Sequence, residues 1–458
     1  MATARYDMHL YSVNPTTGER IASHLVHRDA EAAYILEASA NFQLSWSKRT
    51  PEQRADVLRR LAGLLSAQQD ELALLMAREM GKPLKQGREE IAKCAWCCSW
   101  YADQIEELLE PREVATDAAY SAAVPEPLGV WLAIMPWNYP FWQVMRCLAP
   151  AAALGNTVIL KHSSLVTGCA LALARLTAEA SGGSLLEVLV MPADRIADII
   201  PNRHIKGISF TGGETAGRRV AAMAGAHLRP TVLELGGSNA LIVLRDADLD
   251  LAARDAAASR YQNSGQSCIA AKRILVERHI ETEFMRRFLA HVEALRKGSP
   301  EDPDTDLGPL ASASRCEEVH DQVLRSIAAG AQCLMGGQYH GAFYEPTVLS
   351  GATPSMPCMQ EEVFGPVASI ATFTTTREAI EMSNDSRFGL GVSIYTQGVD
   401  DVRKMISGFH EGAVFVNAPV KSDPRLPFGG IKASGFGREL AREGLLAMSN
   451  LKTVYIRS

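Results

Sequence analysis

Between residues 130 and 210 the sequence alternates short apolar runs with helical stretches, and few architectures satisfy that pattern. Residues 130–135, 158–160 and 205–210 read as strands too apolar for a sheet with one wet face. Residues 141–154 and 171–180 between them carry helical composition. Strands buried on both sides and separated by helices predict a parallel sheet covered on each face. A second region of the same kind starts after Gly237, with strand-like runs at 240–244 and 274–276 and a helical stretch at 280–295. Residues 300–310, rich in Asp and Pro, read as loop. The first third reads as helical: Thr50-Pro51-Glu52-Gln53 has the cap, the first-turn proline and the capping-box glutamine of a helix start, and Gly81 a stop. The tail at 451–456 is strand-like, and a partner subunit is one source of the neighbour it needs.

The 458 residues are 47% apolar and 21% charged, the balance of a globular chain with a large core. A net charge of −6 gives no basic footprint for nucleic acid. No apolar run reaches the roughly 20 residues of a membrane span, and residues 1–20 lack the core of a secretion signal. A cytoplasmic location is therefore expected. The nine cysteines are scattered rather than framed as disulfides. Cys94, Cys97 and Cys98 cluster in a helical segment with no second ligand pair nearby, so they are read as small buried residues and no metal is expected.

Four segments carry possible chemistry. Asn263-Ser264-Gly265-Gln266-Ser267-Cys268 puts a cysteine after a polar, glycine-containing turn, where a thiolate could attack a carbonyl; a small buried hydrophobe is the ordinary alternative. Glu234 ends an apolar strand at Gly236-Gly237, at the edge where open α/β sheets bind ligands; burial there would raise its pKa and suit it to base work. Thr211-Gly212-Gly213-Glu214-Thr215-Ala216-Gly217 is a glycine-rich strand-to-helix turn that could take a phosphate. Pro136-Trp137-Asn138-Tyr139-Pro140 holds a side-chain amide between prolines, a usable oxyanion donor.

In this order, and with Glu361-Glu362-Val363-Phe364-Gly365-Pro366, Asn384-Asp385-Ser386-Arg387-Phe388-Gly389 and Pro427-Phe428-Gly429-Gly430 downstream, these segments resemble the aldehyde dehydrogenase superfamily over nearly the whole chain. The resemblance implies an α/β fold with two parallel-sheet, Rossmann-like domains and a small β oligomerisation arm. It implies a cofactor domain at 1–108 and 128–236, a catalytic domain at 237–430, and bridging segments at 109–127 and 431–458. It implies Cys268 as nucleophile, Asn138 with the Cys268 N–H as oxyanion hole, and Glu234 as base for the deacylating water. Trp137, Lys161, Ser164, Gly212, Gly213, Gly217, Glu362 and Phe364 fall at cofactor positions. NAD-preferring members often carry Glu three residues after the lysine; Ser164 stands there, which removes repulsion of a 2′-phosphate, so NADP is expected to be accepted alongside NAD. A homodimer or homotetramer is implied.

The 265–273 and 423–430 segments most resemble the short bacterial-type succinate-semialdehyde dehydrogenases. Arg146, eight residues after Asn138, matches one carboxylate-binding arginine of that group. The second, six residues before the nucleophile, is Gln262, which could still donate one hydrogen bond, with Ser422 or Arg425 as helpers. Oxidation of succinate semialdehyde to succinate is the leading expectation. A broader aldehyde dehydrogenase for medium-chain, aromatic or other semialdehydes is the next, and a catalytically silent structural or binding member the third.

Overall fold

The structure is a computed structural model and describes residues 8–457. Residues 1–7 and 458, which belong to the expected leader-free stretch and terminal segments, lie outside it. Two parallel sheets form the frame. The first has six strands in the order Gly435–Phe436, Thr231–Glu234, Ile205–Thr211, Val130–Met135, Thr157–His162 and Leu186–Val188. All its pairs are parallel except the first. The central strand Val130–Met135 buries both faces: Trp131 and Ala133 enter one apolar cluster, Val130 and Leu132 the other. This explains runs without polar alternation.

From Val130–Met135 the chain moves outward through two strands, then returns to add Ile205–Thr211 on the other side. The strand order therefore reverses between Val130–Met135 and Ile205–Thr211. Such a switch opens a crevice at the carboxyl ends of the strands. The turns that leave there are Pro136–Pro140 and Thr211–Gly213, both singled out from sequence.

The second sheet has seven strands, in the order Gln332–Met335, Thr347–Ser350, Val367–Phe373, Ala271–Glu277, Asn239–Val243, Val392–Tyr395 and Val414–Val416. Only its first pair is antiparallel. A third sheet pairs Ser449–Ile456 with Tyr120–Pro127 and that strand with Arg112–Glu113. The terminal strand thus finds a neighbour inside its own chain along one edge, and as the outer strand of its sheet it has no partner on the other edge among the described residues. A partner 320 residues away leaves no local mark in the sequence.

The amino-terminal third differs from expectation in two places. A hairpin, His9–Val13 with Arg20–Leu25, precedes the helices. The helical stretch from Thr50 to Gly81 is broken at Gln68 into Pro51–Ala67 and Gln69–Met80. Both predicted ends hold: Thr50 and Gln53 exchange side-chain-to-backbone bonds, and Gly81 caps at φ +80°. Cys94, Cys97 and Cys98 lie buried along helix Leu84–Leu109, their thiols pushed upward chiefly by burial.

Glu90 on that helix fixes the next one. Its Oε1 accepts the N–H groups of Phe141 and Trp142 at 2.9 Å, where helix Trp142–Leu154 begins, and its other oxygen pairs with buried Lys82. The carboxylate thus meets two donors at the positive end of a wholly buried helix. Replacing it by Ala strands the Lys82 charge. We expect Glu90→Ala to lower unfolding free energy by about 3–5 kcal/mol, read from the urea midpoint, whereas a loss under about 1 kcal/mol would contradict this role.

Candidate active site

Cys268 sits between two cavities, and each expected residue can be placed against them. It lies three residues before strand Ala271–Glu277 of the second sheet. The loop that presents it is tightly bent: Asn263 and Ser264 have φ of 50° and 53°, and Gly265 follows at +75°. Three consecutive left-handed residues are costly unless their surroundings impose them. Here the imposing groups are clear. Ser264 donates to the Gly308 carbonyl at 2.8 Å, and a Cβ on Gly265 would run into the Gly365 carbonyl.

Asn138 joins this loop to the first sheet. Its Nδ2 donates to the Gln266 carbonyl at 3.0 Å, and its own carbonyl accepts Asn263 Nδ2 at 2.7 Å. The other Nδ2 hydrogen and the Cys268 backbone N–H have no acceptor among the described residues. These two donors belong to different elements, and Asn138 and Cys268 line one cavity together, an arrangement compatible with an oxyanion hole. The Pro136–Pro140 turn that carries Asn138 is pinned by His162, whose Nε2 donates to the Pro140 carbonyl at 2.9 Å while Nδ1 accepts the Ser163 N–H. Burial holds that imidazole neutral, with its pKa down to about 4.

One cavity, of about 270 Å³, opens at the switch crevice. Trp137, Gly212, Gly213, Glu362 and Phe364 line it with Asn138 and Cys268. Phe364 meets Trp137 edge-on with ring centres 5.8 Å apart. Glu362 accepts the Gly237 N–H at 3.0 Å and pairs with Lys272 at 3.4 Å. Glycines make room here: nothing lies within 4 Å of a Cβ added to Gly213, which starts helix Glu214–Ala226. An apolar slot ending at free helix amides fits a dinucleotide with its pyrophosphate at the helix.

The remaining cofactor candidates lie apart from this cavity's lining. Lys161 and Ser164 stand at the end of strand Thr157–His162 and in the turn after it, Lys161 buried and its pKa lowered by that burial. Gly217 is a packing residue: a Cβ there would run into Leu235, so the glycine lets the helix approach the sheet.

The other cavity, about 300 Å³, lies across Cys268. Arg146 and Gln262 line it, as does Ser422, with an apolar wall of Tyr139, Trp142 and Phe428. Arg146 is buried. Its Nε approaches Glu439 Oε2 at 2.7 Å, off the line of a hydrogen bond, and its Nη2 donates to Gln143. Arg146 is therefore ion-paired and cavity-facing together.

Glu234 lines neither cavity. Its side chain is buried beneath Gly429, with Oε1 unpartnered. Burial raises its pKa well above the carboxylate range; Glu439 adds to that and Arg146 and Arg438 oppose it. A high-pKa carboxylate near the thiol can take a proton from water once a path opens. Lys272 and Lys93 were missed by the sequence reading. Lys272 donates to the Ser267 and Cys268 carbonyls at 2.7 and 3.0 Å, bracing the loop, and burial brings its pKa to about 8. A lysine in a strand buried along its whole length was the available signal.

Two cavities that both reach a cysteine thiol, one of them at the switch crevice of a parallel sheet, fit a covalent enzyme of the dinucleotide-binding α/β class. The aldehyde dehydrogenase family profile matches residues 3–454, and the chain belongs to that family. It is 44% identical over 98% of its length to a probable succinate-semialdehyde dehydrogenase (NADP+) of Synechocystis, covering all of that protein. It is 41% identical to a succinate semialdehyde dehydrogenase (NAD(P)+) of Escherichia coli strain K12, over 98% of each chain. The crystal structure of succinic semialdehyde dehydrogenase from Streptococcus pyogenes with NADP+ superposes with a TM-score of 0.95 at 33% identity, covering 98% of this chain and all of that one.

Burial pushes the Cys268 thiol up to about 11, with Arg146 and Lys272 pulling it partly back. The free protein therefore holds a neutral thiol at pH 7. We expect iodoacetamide to inactivate it about tenfold faster per pH unit from 7 to 9, followed by activity and by the Cys268 peptide. A plateau at or below pH 8 would contradict the burial of this thiol.

Proposed function

We propose that this enzyme oxidises short aldehydes with a carboxylate at the far end, succinate semialdehyde foremost, to the corresponding diacid. The observation that carries this reading is Arg146: a buried guanidinium on the wall of the cavity that Cys268 closes. A cation kept out of water is costly unless it has work to do, and a planar fork suits a carboxylate. Gln262 and Ser422 on the same walls can add neutral hydrogen bonds. The similarity to succinate-semialdehyde dehydrogenases supports the same choice.

In this reading Cys268 gives up its thiol proton to solvent and adds as the thiolate to the aldehyde carbon, and the resulting oxyanion is held by Asn138 Nδ2 and the Cys268 N–H. Trp137, Gly212, Gly213, Glu362 and Phe364 would hold NADP or NAD, with Lys161 and Ser164 as further cofactor residues, and the bound cofactor would supply the hydride acceptor. Glu234, once ionised, takes the proton of the water that releases the acid from Cys268, and the burial that raises its pKa makes that carboxylate a stronger base than an exposed one. Lys272 and Asn138 keep the thiol loop between the two ligands.

The apolar wall of Tyr139, Trp142 and Phe428 favours a second reading, a broader enzyme that also takes neutral medium-chain or aromatic aldehydes. A catalytically silent role is disfavoured by a chain that keeps the thiol, both oxyanion donors and the buried carboxylate together. We assign residues 1–108 and 128–236 to cofactor binding, 237–430 to catalysis, and 109–127 with 431–458 to assembly. A homodimer or homotetramer is supported by Leu451, Tyr455 and Ile456, half exposed on the outer strand of the third sheet. Nine unpaired cysteines support a cytoplasmic setting, and no described helix is long and apolar enough to cross a membrane.

With saturating NADP we expect kcat/KM for succinate semialdehyde to exceed that for butanal by about 30-fold or more, the size of one charge-assisted hydrogen bond. Equal values would favour the broader reading. Ser164→Glu should lower the NADP-to-NAD ratio of kcat/KM by about tenfold or more through 2′-phosphate repulsion; an unchanged ratio would remove Ser164 from the cofactor site.

A further inference from the structure

Lys93 is a cation without a counter-ion, and it faces the same cavity as Arg146. It projects from helix Leu84–Leu109, one wall of that cavity. Its ammonium donates to Ser422 Oγ at 2.9 Å and lies 4.4 Å over the Trp142 ring. No carboxylate pairs with it among the described residues. Glu90, the nearest acid on its own helix, is taken by Lys82 and by the N–H groups of Phe141 and Trp142. Glu89 and Lys421 stand at the exposed rim with opposite charges. The Lys93 pKa is lowered to about 8, chiefly by burial and next by the Arg146 charge.

Ser422 shows what the arrangement lacks. Its oxygen accepts two donors, Lys93 Nζ and Trp142 Nε1, each at 2.9 Å. A hydroxyl with both lone pairs occupied can only donate its own proton, and no acceptor among the described residues takes it. Lys93 likewise keeps two N–H groups free. The wall thus presents an ammonium and a hydroxyl, both donors, beside Arg146, whose own partner Glu439 holds it from behind. Two like charges on the wall of one cavity disfavour each other, and an anion that enters relieves both.

We propose that Lys93, with the Ser422 hydroxyl it holds, is a second anchor for the distal carboxylate of the substrate, opposite Arg146, a charge that uncharged Gln262 on the same wall does not supply. The proposal rests on the carboxylate-aldehyde reading above and adds a residue to it. A carboxylate with two oxygens can take the Arg146 fork on one side and the Lys93–Ser422 pair on the other. The four-carbon aldehyde is thereby held by its far end while its carbonyl carbon meets Cys268. Lys93 is a specificity residue here; it touches substrate and not the reacting carbon.

The test compares wild type, Lys93→Met and Lys93→Arg with succinate semialdehyde and with butanal, the same chain length without the charge. Methionine keeps the aliphatic packing against Trp142. We expect Lys93→Met to cut the ratio of kcat/KM for succinate semialdehyde over butanal by about tenfold, chiefly through KM, and Lys93→Arg to restore most of it. A fall of less than about threefold, or one that arginine does not reverse, overturns the proposal. The wild type separates the two levels. If it shows no preference for succinate semialdehyde and succinate does not compete, the carboxylate reading itself fails. If it shows the preference and Lys93→Met keeps it, only the Lys93 assignment falls.

Discussion

Two hydrogen bonds hold the site together: Asn138 Nδ2 to the Gln266 carbonyl, and Asn263 Nδ2 back to the Asn138 carbonyl. They join the turn at the end of a first-sheet strand to the loop that leads into a second-sheet strand. One sheet opens the switch crevice for a dinucleotide; the other presents the thiol. Without the tether, the strained run Asn263-Ser264-Gly265 would have little reason to keep its left-handed form, and Cys268 would not stand at the meeting of two cavities.

Around that tether the electrostatics are governed by dryness. Burial is the largest cause that moves the Cys268 thiol and the Glu234 carboxyl upward and Lys272 and Lys93 downward. All four shifts favour the uncharged form. Each group is then near the point where a partner, a substrate charge or a moved proton changes its state. Charges that remain are tied: Arg146 to Glu439, Lys272 to Glu362 and two loop carbonyls. Lys93 departs from this rule, and the substrate's own charge is the partner we assign to it.

The sequence made the local parts of this arrangement readable. Strands buried on both faces, a glycine turn before a helix, the Thr50 capping box and a cysteine after a polar turn are all short-range signals, and the structure keeps them. The dinucleotide crevice was readable as two turns, because both leave neighbouring strands at the same edge. What was hidden is long-range pairing. Ser422 meets Lys93 across more than 300 positions, Glu439 meets Arg146 across nearly as many, and the terminal strand meets residues 120–127. Arg146 was identified, but its ion pair was open until Glu439 was seen behind it. Lys93 was not singled out from the sequence, since nothing local says that its ammonium has no acid beside it. Gly217 was assigned to the cofactor loop; its immediate constraint is the Leu235 side chain.

The central claim is that the aldehyde carbon is captured on Cys268 and set free by Glu234. The direct measurement is peptide mass mapping of Glu234→Gln, quenched in acid after mixing with succinate semialdehyde and NADP. With its release step blocked, the Cys268 peptide should gain about 100 Da, the mass of a succinyl thioester, and Cys268→Ala should abolish the gain. An unmodified Cys268 peptide in a sample that has formed NADPH would contradict the account.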